Sequence, residues 1–320
     1  MRHSAWGKLA VTAIAVVLLG LYALGWYWSR EPDTFSVVDV TKEETDAIGG
    51  KVVVGSTTTA TLIYELETLL NKPGGFLSND VTSVAIFLDN IPAWEYGVLL
   101  QARDITRAMR DSIARSQSQS KEDTDLALAE SRLNISHTAW VFPDAESEYR
   151  DGIKYLRKYL VRLSKTENPD AQFYARADNL RHWLGIAEVR LGSLSQRLTA
   201  SVGDKQGKTV KNKISEPGDK TDWFEIDDVF YEARGSAWAL LHLLQAVRVD
   251  FADVLNDKNA MESVDQIIRE LEATQEPLTS PMVLNGSGFG LWANHSLVMA
   301  SYLSRANAAI IDLRELLEKG

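Results

Sequence analysis

"FYEARGSAWALLHLLQAVRVDFADV", residues 230–254, decides how this chain is built. Phe230, Ala233, Ala237, Leu240, Leu244, Val247, Phe251 and Val254 recur in it at alternating steps of three and four. An α-helix turns once in about 3.6 residues, so the alternation keeps all of these side chains on one seam. A strand, with its period of two, would scatter them over both faces.

The same register appears on either side. Leu62, Ile63, Leu66, Leu69 and Leu70 form one stripe, and Trp94, Val98, Ala102, Ile105, Met109 and Ile113 form another. Tyr149, Ile153, Leu156, Leu160 and Leu163 repeat it. After Pro169 it runs through Phe173, Ala177, Leu180, Leu184, Ala187, Leu191, Leu194 and Leu198, and the last segment carries Met299, Leu303, Ala306, Ile310, Leu313 and Leu317. Seams of this kind pack at shallow angles. The fold class predicted is mainly α, an elongated antiparallel helical bundle. Alanines in the seams are expected to allow close approach, and the same heptads would also suit a partner helix. Asn168 before Pro169, and Asp144 after "WVFP", read as helix N-caps. Val52–Val54 and Val84–Leu88 are short enough to be strands or buried turns. Residues 203–222, "GDKQGKTVKNKISEPGDKTD", carry five lysines and almost no apolar side chain, which predicts a mobile loop between two halves of the bundle.

The N-terminus is different. From Leu9 to Trp28, "LAVTAIAVVLLGLYALGWYW" holds no charged side chain, and about 20 apolar residues span a bilayer core. Arg2 and Lys8 precede the run, while Trp26, Tyr27 and Trp28 close it as interfacial aromatics do. Positive charge on the N-terminal side places that end in the cytoplasm. The domain reading is therefore a cytoplasmic tip and transmembrane anchor at 1–30, followed by a periplasmic helical domain at 31–320. A cleaved signal peptide is the competing reading, through the small-residue triplet Ala23-Leu24-Gly25. The length of the run and its bulky aromatic end favour a retained anchor.

Composition closes several routes. The 320 residues contain no cysteine, which removes disulfides, thiolate nucleophiles and cysteine-ligated metals. Residues 30–320 carry 32 basic against 44 acidic side chains, a net charge of −12. Such a body is repelled by nucleic-acid phosphates and by anionic lipid heads, so no nucleic-acid partner is expected.

Five stretches invite chemistry. "NKPGGFLSND", residues 71–80, has the glycines of a phosphate loop, but a helix precedes it and Lys72 comes before the glycines. Pro73-Gly74 instead matches the centre of a type II turn. "NGSGFGLWANHS", residues 285–296, lacks the dinucleotide spacing and reads as a flexible entry to the last helix. Arg103, Arg107 and Arg110 share a helical face that Arg115 continues, suited to a phosphate or carboxylate. Asp104 and Asp111, within three or four residues of Arg107, offer an intrahelical ladder instead. With Ser116 and Gln117 of "RSQSQSKEDTDL" these arginines make the candidate binding patch. Asp123 and Asp125 hold two positions of a calcium loop without its glycine or distal glutamate, so no metal is expected. Asp80, Asp89 and Glu95 would serve glycan cleavage if one pKa were raised and their spacing were right. The histidines at 3, 137, 182, 242 and 295 show no ligand spacing, and no cofactor is implied.

"NKPGGFLSNDV", "DNIPAWEYGVLLQARD", "RSQSQSKEDTDL" and "ESEYRDGIKYL" resemble an uncharacterised family of proteobacterial inner-membrane proteins, domain of unknown function twenty-three thirty-three. The resemblance runs over most of the chain and implies a Gram-negative inner-membrane location. It transfers no catalytic residue. The expectation is a membrane-anchored periplasmic protein that acts by binding, as scaffold or adaptor for another envelope protein. The alternatives are a cell-wall-directed enzyme using carboxylates near residues 80–95 and a ligand-sensing bundle. Oligomeric state is not legible.

Overall fold

The computed structural model describes residues 2–80, 88–115, 121–165, 170–201, 226–278, 280, 282–286 and 291–319. Among these the chain is a helical bundle with an apolar N-terminal helix, and no strand forms; only an isolated bridge joins Asn285 to Asn294. In order come α1 (Arg2–Trp28), α2 (Val37–Ala47), α3 (Ser56–Asn71), α4 (Asn90–Ala108), α5 (Thr124–Leu133), α6 (Ala145–Leu163), α7 (Ala177–Ser201), α8 (Ile226–Asp250), α9 (Ala252–Asp257), α10 (Met261–Ala273) and α11 (His295–Glu318). A π-helical turn, Met109–Ile113, continues α4.

The seams do bury. Leu180, Leu184, Ala187, Leu191, Leu194 and Leu198 of α7 face the core, as do Leu303, Ala306, Ile310 and Leu313 of α11. In α8 the burial exceeds one seam, because neighbours close it on nearly every side. Where α4 crosses α8 the backbones touch at two glycines. A methyl group at Gly97 would fall on the Glu232 carbonyl, and one at Gly235 on the Trp94 carbonyl. At this crossing the closest approach is made at glycine, while the seam alanines Ala102, Ala233 and Ala237 are buried. Side-chain caps start several helices: Asp123 accepts from Asp125 and Leu126 N–H, Asp144 from Ser147 N–H, and Asn294 from Leu297 N–H.

Two local expectations differ, and a third falls mostly outside the described residues. Residues 51–53 are coil leading into a turn, and of the segment 84–88 only Leu88 is described. The helix expected after Pro169 begins only at Ala177. Residues 170–176 stay outside the helix because tertiary bonds hold them: Tyr174 N–H donates to the Ile113 carbonyl at 2.7 Å, and Tyr159 Oη donates to the Gln172 carbonyl at 2.7 Å. The stretch 203–222 and the Asn168-Pro169 cap lie outside the described residues.

Cross-helix contacts define two ends. At one, Lys72 pairs with Glu95, Arg150 reaches Asn71, and Phe230 packs near His295. At the other, Thr58 binds Asp250, Arg162 pairs with Asp123, and Arg181 pairs with Glu318. The first end is also where α1 arrives. Helix α1, apolar over Trp6–Trp28, is long enough to cross a membrane.

Residues 29–36 then run down a cleft beside α3 and α8 and are held at almost every step. Ser29 Oγ donates to the Gly25 carbonyl, and Arg30 lies over the Trp26 ring. Glu31 pairs with Arg234 at 2.6 Å, and Trp238 Nε1 donates to the Asp33 carbonyl. Phe35 stacks on His242 with centroids 3.9 Å apart and planes 9° from parallel. Ser36 caps α2. His242 is fully buried, and its Nδ1 lies 2.8 Å from the Trp238 carbonyl. A carbonyl only accepts, so Nδ1 carries the proton and Nε2 accepts from Phe35 N–H at 3.1 Å. Burial pulls the His242 pKa down to about 4, with the Trp238 carbonyl opposing.

Candidate functional site

The arginine stripe of α4 points at neighbouring protein. Arg103 Nε donates to the Leu133 carbonyl at 2.6 Å, and Nη2 donates to the Ile135 carbonyl at 2.6 Å and to Tyr149 Oη at 3.2 Å. It therefore caps the C-terminus of α5, where unpaired carbonyls need donors. Arg107 and Arg110 both reach Glu130 of α5, and Arg110 also binds Asp111. The ladder runs mainly between helices; within α4 and its π-helical extension it keeps only Arg110–Asp111. Asp104 turns instead to Arg190 of α7. Arg115 also has an interaction of its own, while Ser116 and Gln117 lie outside the described residues. Arg103, Arg107 and Arg110 thus each hold acceptors on α5 or in their own turn, while the Arg107 side chain stays half exposed.

The glycine-bearing loop is the type II turn read from Pro73-Gly74. Gly75 N–H donates to the Lys72 carbonyl at 2.8 Å, and Gly74 takes φ +87°, a conformation glycine adopts without a Cβ penalty. Glu95 closes this loop from α4. Fully buried, it pairs with Lys72 at 2.5 Å and accepts from Leu77 N–H, Ser78 N–H and Ser78 Oγ. A carboxylate so engaged cannot exchange protons with a substrate without opening the loop. Asp89 accepts from Asn90 N–H at the start of α4, and Asp80 has its own partner. In the second glycine-rich stretch, Gly286 N–H donates to the Ala293 carbonyl and Asn294 Nδ2 to the Gly286 carbonyl, so the entry to α11 is pinned there; Gly288 and Gly290 lie outside the described residues. Asp123 and Asp125 both bind Arg162 at 2.7 Å. Among the described residues no group of three His, Asp or Glu side chains could hold a metal.

One surface with room for a ligand carries no motif in the sequence. A groove of about 870 Å³ runs along the outer face of α7. His182, Ile186, Val189 and Ser193 line it, spaced by four, three and four, a second stripe turned away from the buried seam. Val189 is 74% exposed. Arginines border the groove, each with one carboxylate partner. Arg181 pairs with Glu318, Arg190 with Asp104, and Arg314 with Glu188; Arg197 holds Glu232 in a two-pronged contact at 2.7 and 2.6 Å. On a body of net negative charge, this is a local concentration of guanidinium groups around an apolar floor. Such a surface suits an amphipathic segment whose acidic side chains replace the resident carboxylates. The sequence signal was present in Ile186 and Val189, two apolar residues off the seam. Arg181, Arg190 and Arg197 lie on α7 itself, and the packing of α11 adds Arg314.

The model of a family described as uncharacterized proteins conserved in bacteria, DUF2333, matches residues 1–320. No curated protein and no solved structure matches the chain.

Proposed function

Because the chain belongs to the DUF2333 family of bacterial proteins, whose description names no activity, we propose its function from its own geometry. It is a single-pass inner-membrane protein with a cytoplasmic N-terminus, α1 as a retained anchor, and residues 31–320 in the periplasm. It acts by binding, as an adaptor, and the groove along α7 receives an amphipathic, acidic segment of another envelope protein. The observation that carries the reading is the arginine-bordered floor of Ile186 and Val189 on an acidic body. Arg2 and Lys8 before the apolar run, and the aromatic cluster after it, support the orientation. No observation favours the hydrolytic alternative, since Glu95 is saturated by its loop.

A photoreactive amino acid at position 189 tests this in intact cells. It should capture a discrete partner, and replacing Arg190 and Arg197 by glutamate should abolish the capture. The same probe at Val161, on α6, is the control. Equal capture from both positions would overturn the groove. Alkaline phosphatase fused after Lys319 should be active; an inactive fusion would reverse the orientation.

A further inference from the structure

Two loop tips hold large apolar side chains in open solvent. Between α5 and α6, Trp140, Val141 and Phe142 are exposed, and before α11 so are Leu291 and Trp292, with Phe142 and Leu291 entirely uncovered. Outside α1, Trp140, Phe142 and Trp292 are the exposed Trp, Tyr and Phe side chains among the described residues.

All three lie at the end of the bundle where α1 arrives. The Pro73-Gly74 turn packs against the Trp28 ring, where a Gly74 Cβ would sit 2.9 Å from Trp28 Cγ. Asn79, just after that turn, donates to the Ala139 carbonyl, which places residues 140–142 next to it. His137 of the same loop packs at a tilt against Tyr96, near the start of α4. On the other side Arg234 binds Glu31 together with the Thr274 and Glu276 carbonyls, at the start of the segment that leads to Leu291 and Trp292. Trp28 is the last aromatic of α1, and aromatic rings at a helix exit lie at headgroup depth. The turn that touches it is therefore at that depth as well, with the Trp140–Phe142 tip beside it and the Leu291–Trp292 tip at the same end of the bundle, where His295 packs near Phe230.

We propose that these tips enter the periplasmic leaflet of the bilayer that α1 crosses, so that the bundle rests on the membrane at three points. This rests on the reading of α1 as a retained anchor. The bilayer is the occupant favoured because the tips lie at the end of the bundle where Trp28 leaves the membrane span; the net negative charge of the body opposes approach to an anionic leaflet, so apolar insertion has to carry the contact. Tryptophan flanked by leucine, valine or phenylalanine suits the boundary between headgroups and acyl chains. The opposite end supplies an internal control: Val52 and Val54 are exposed there, close to Ser56 at the start of α3, without an aromatic neighbour in the triplet.

The natural chain has no cysteine, so single cysteines can be placed in the full-length protein and labelled with an environment-sensitive fluorophore. The variants are Phe142→Cys, Leu291→Cys, Val16→Cys in α1 and Val52→Cys at the far end. Each is reconstituted into phosphatidylethanolamine–phosphatidylglycerol vesicles, with or without lipids bearing a quencher on the acyl chain. Phe142 and Leu291 touch no core, so unchanged helical spectra are expected. Probes at 16, 142 and 291 should lose emission by about twofold or more with quencher lipid, and the probe at 52 should not. If 142 and 291 behave like 52 while 16 is quenched, the insertion is overturned and the anchor stands. If 16 is not quenched, the anchor reading fails and takes this inference with it. Protection of 142 and 291 from aqueous iodide without lipid quenching means that protein covers the tips, which also overturns the proposal.

Discussion

Arg234 and Arg190 are both arginines in ion pairs on long helices, yet they serve opposite ends. Arg234 on α8 is buried, and its guanidinium meets Glu31 and the carbonyls of Thr274, Gln275 and Glu276. It ties the exit of α1 to the end of α10. Arg190 on α7 has one carboxylate partner, Asp104, and lies a quarter exposed at the edge of an open groove. An arginine with several fixed acceptors and no water is a strut. One with a single acceptor at the water's edge can change partners.

The largest expected effect tests the strut. Arg234→Met leaves Glu31 and three carbonyls without their donor inside the protein. Removing one partner of a buried pair costs about 3–5 kcal/mol. Burial already raises the Glu31 pKa, and Arg234 only partly offsets it, so the variant should melt well below the parent in detergent. A loss comparable to that of a surface pair would remove the distinction drawn here.

The next effect sharpens it through pH. Folded His242 stays neutral down to about 4, whereas the unfolded chain takes up a proton near 6.5. Below 6.5 the unfolded state therefore binds more protons, and stability falls as pH drops towards 4, by about 3 kcal/mol for a gap of this size. Glu65 tilts the other way. Fully buried on α3 with both carboxylate oxygens unbonded, it has a pKa raised well above 4.5, so its contribution falls as pH rises past the unfolded value. Comparison with His242→Leu isolates the histidine. The parent should show a steeper loss of melting temperature between pH 6.5 and 4 than the variant, and parallel curves would contradict the assignment.

The smallest effect concerns the groove. Arg190→Gln and Arg197→Gln should each cost about 1–2 kcal/mol, because glutamine keeps a hydrogen-bond donor beside the mostly buried Asp104 and Glu232, and the arginines themselves reach water. The double variant should keep its helical spectrum while losing capture from position 189. A destabilisation as deep as that of Arg234→Met would make these arginines struts as well.

Much of the bundle was legible, and what was not has a physical cause. The seams of α7, α8 and α11 could be read because a helix repeats its own geometry along the sequence. Helix α10 shows the same logic in Val264, Ile267, Ile268 and Leu271, all buried. The start of α7 was placed too early because bonds from Tyr174 to Ile113 and from Tyr159 to Gln172 override local preference. The α4 arginines shared a face as read. Their acceptors did not announce themselves, since Arg103 reaches carbonyls thirty and thirty-two residues away. To the arginines of α7 the groove adds Arg314, brought from another helix by packing alone.

The held segment between α1 and α2 has a consequence for how a partner is found. A slack linker lets a domain sweep a hemisphere above its anchor and meet targets at many heights. Here Glu31, Asp33, Phe35 and Ser36 are each fastened to the body or to α2, so there is no slack to sweep with. Under the proposed anchoring, the body moves as its anchor moves, by drifting in the plane of the bilayer. Its search is two-dimensional, at one fixed height, and the partners within reach are those presenting their acidic segment at that same height.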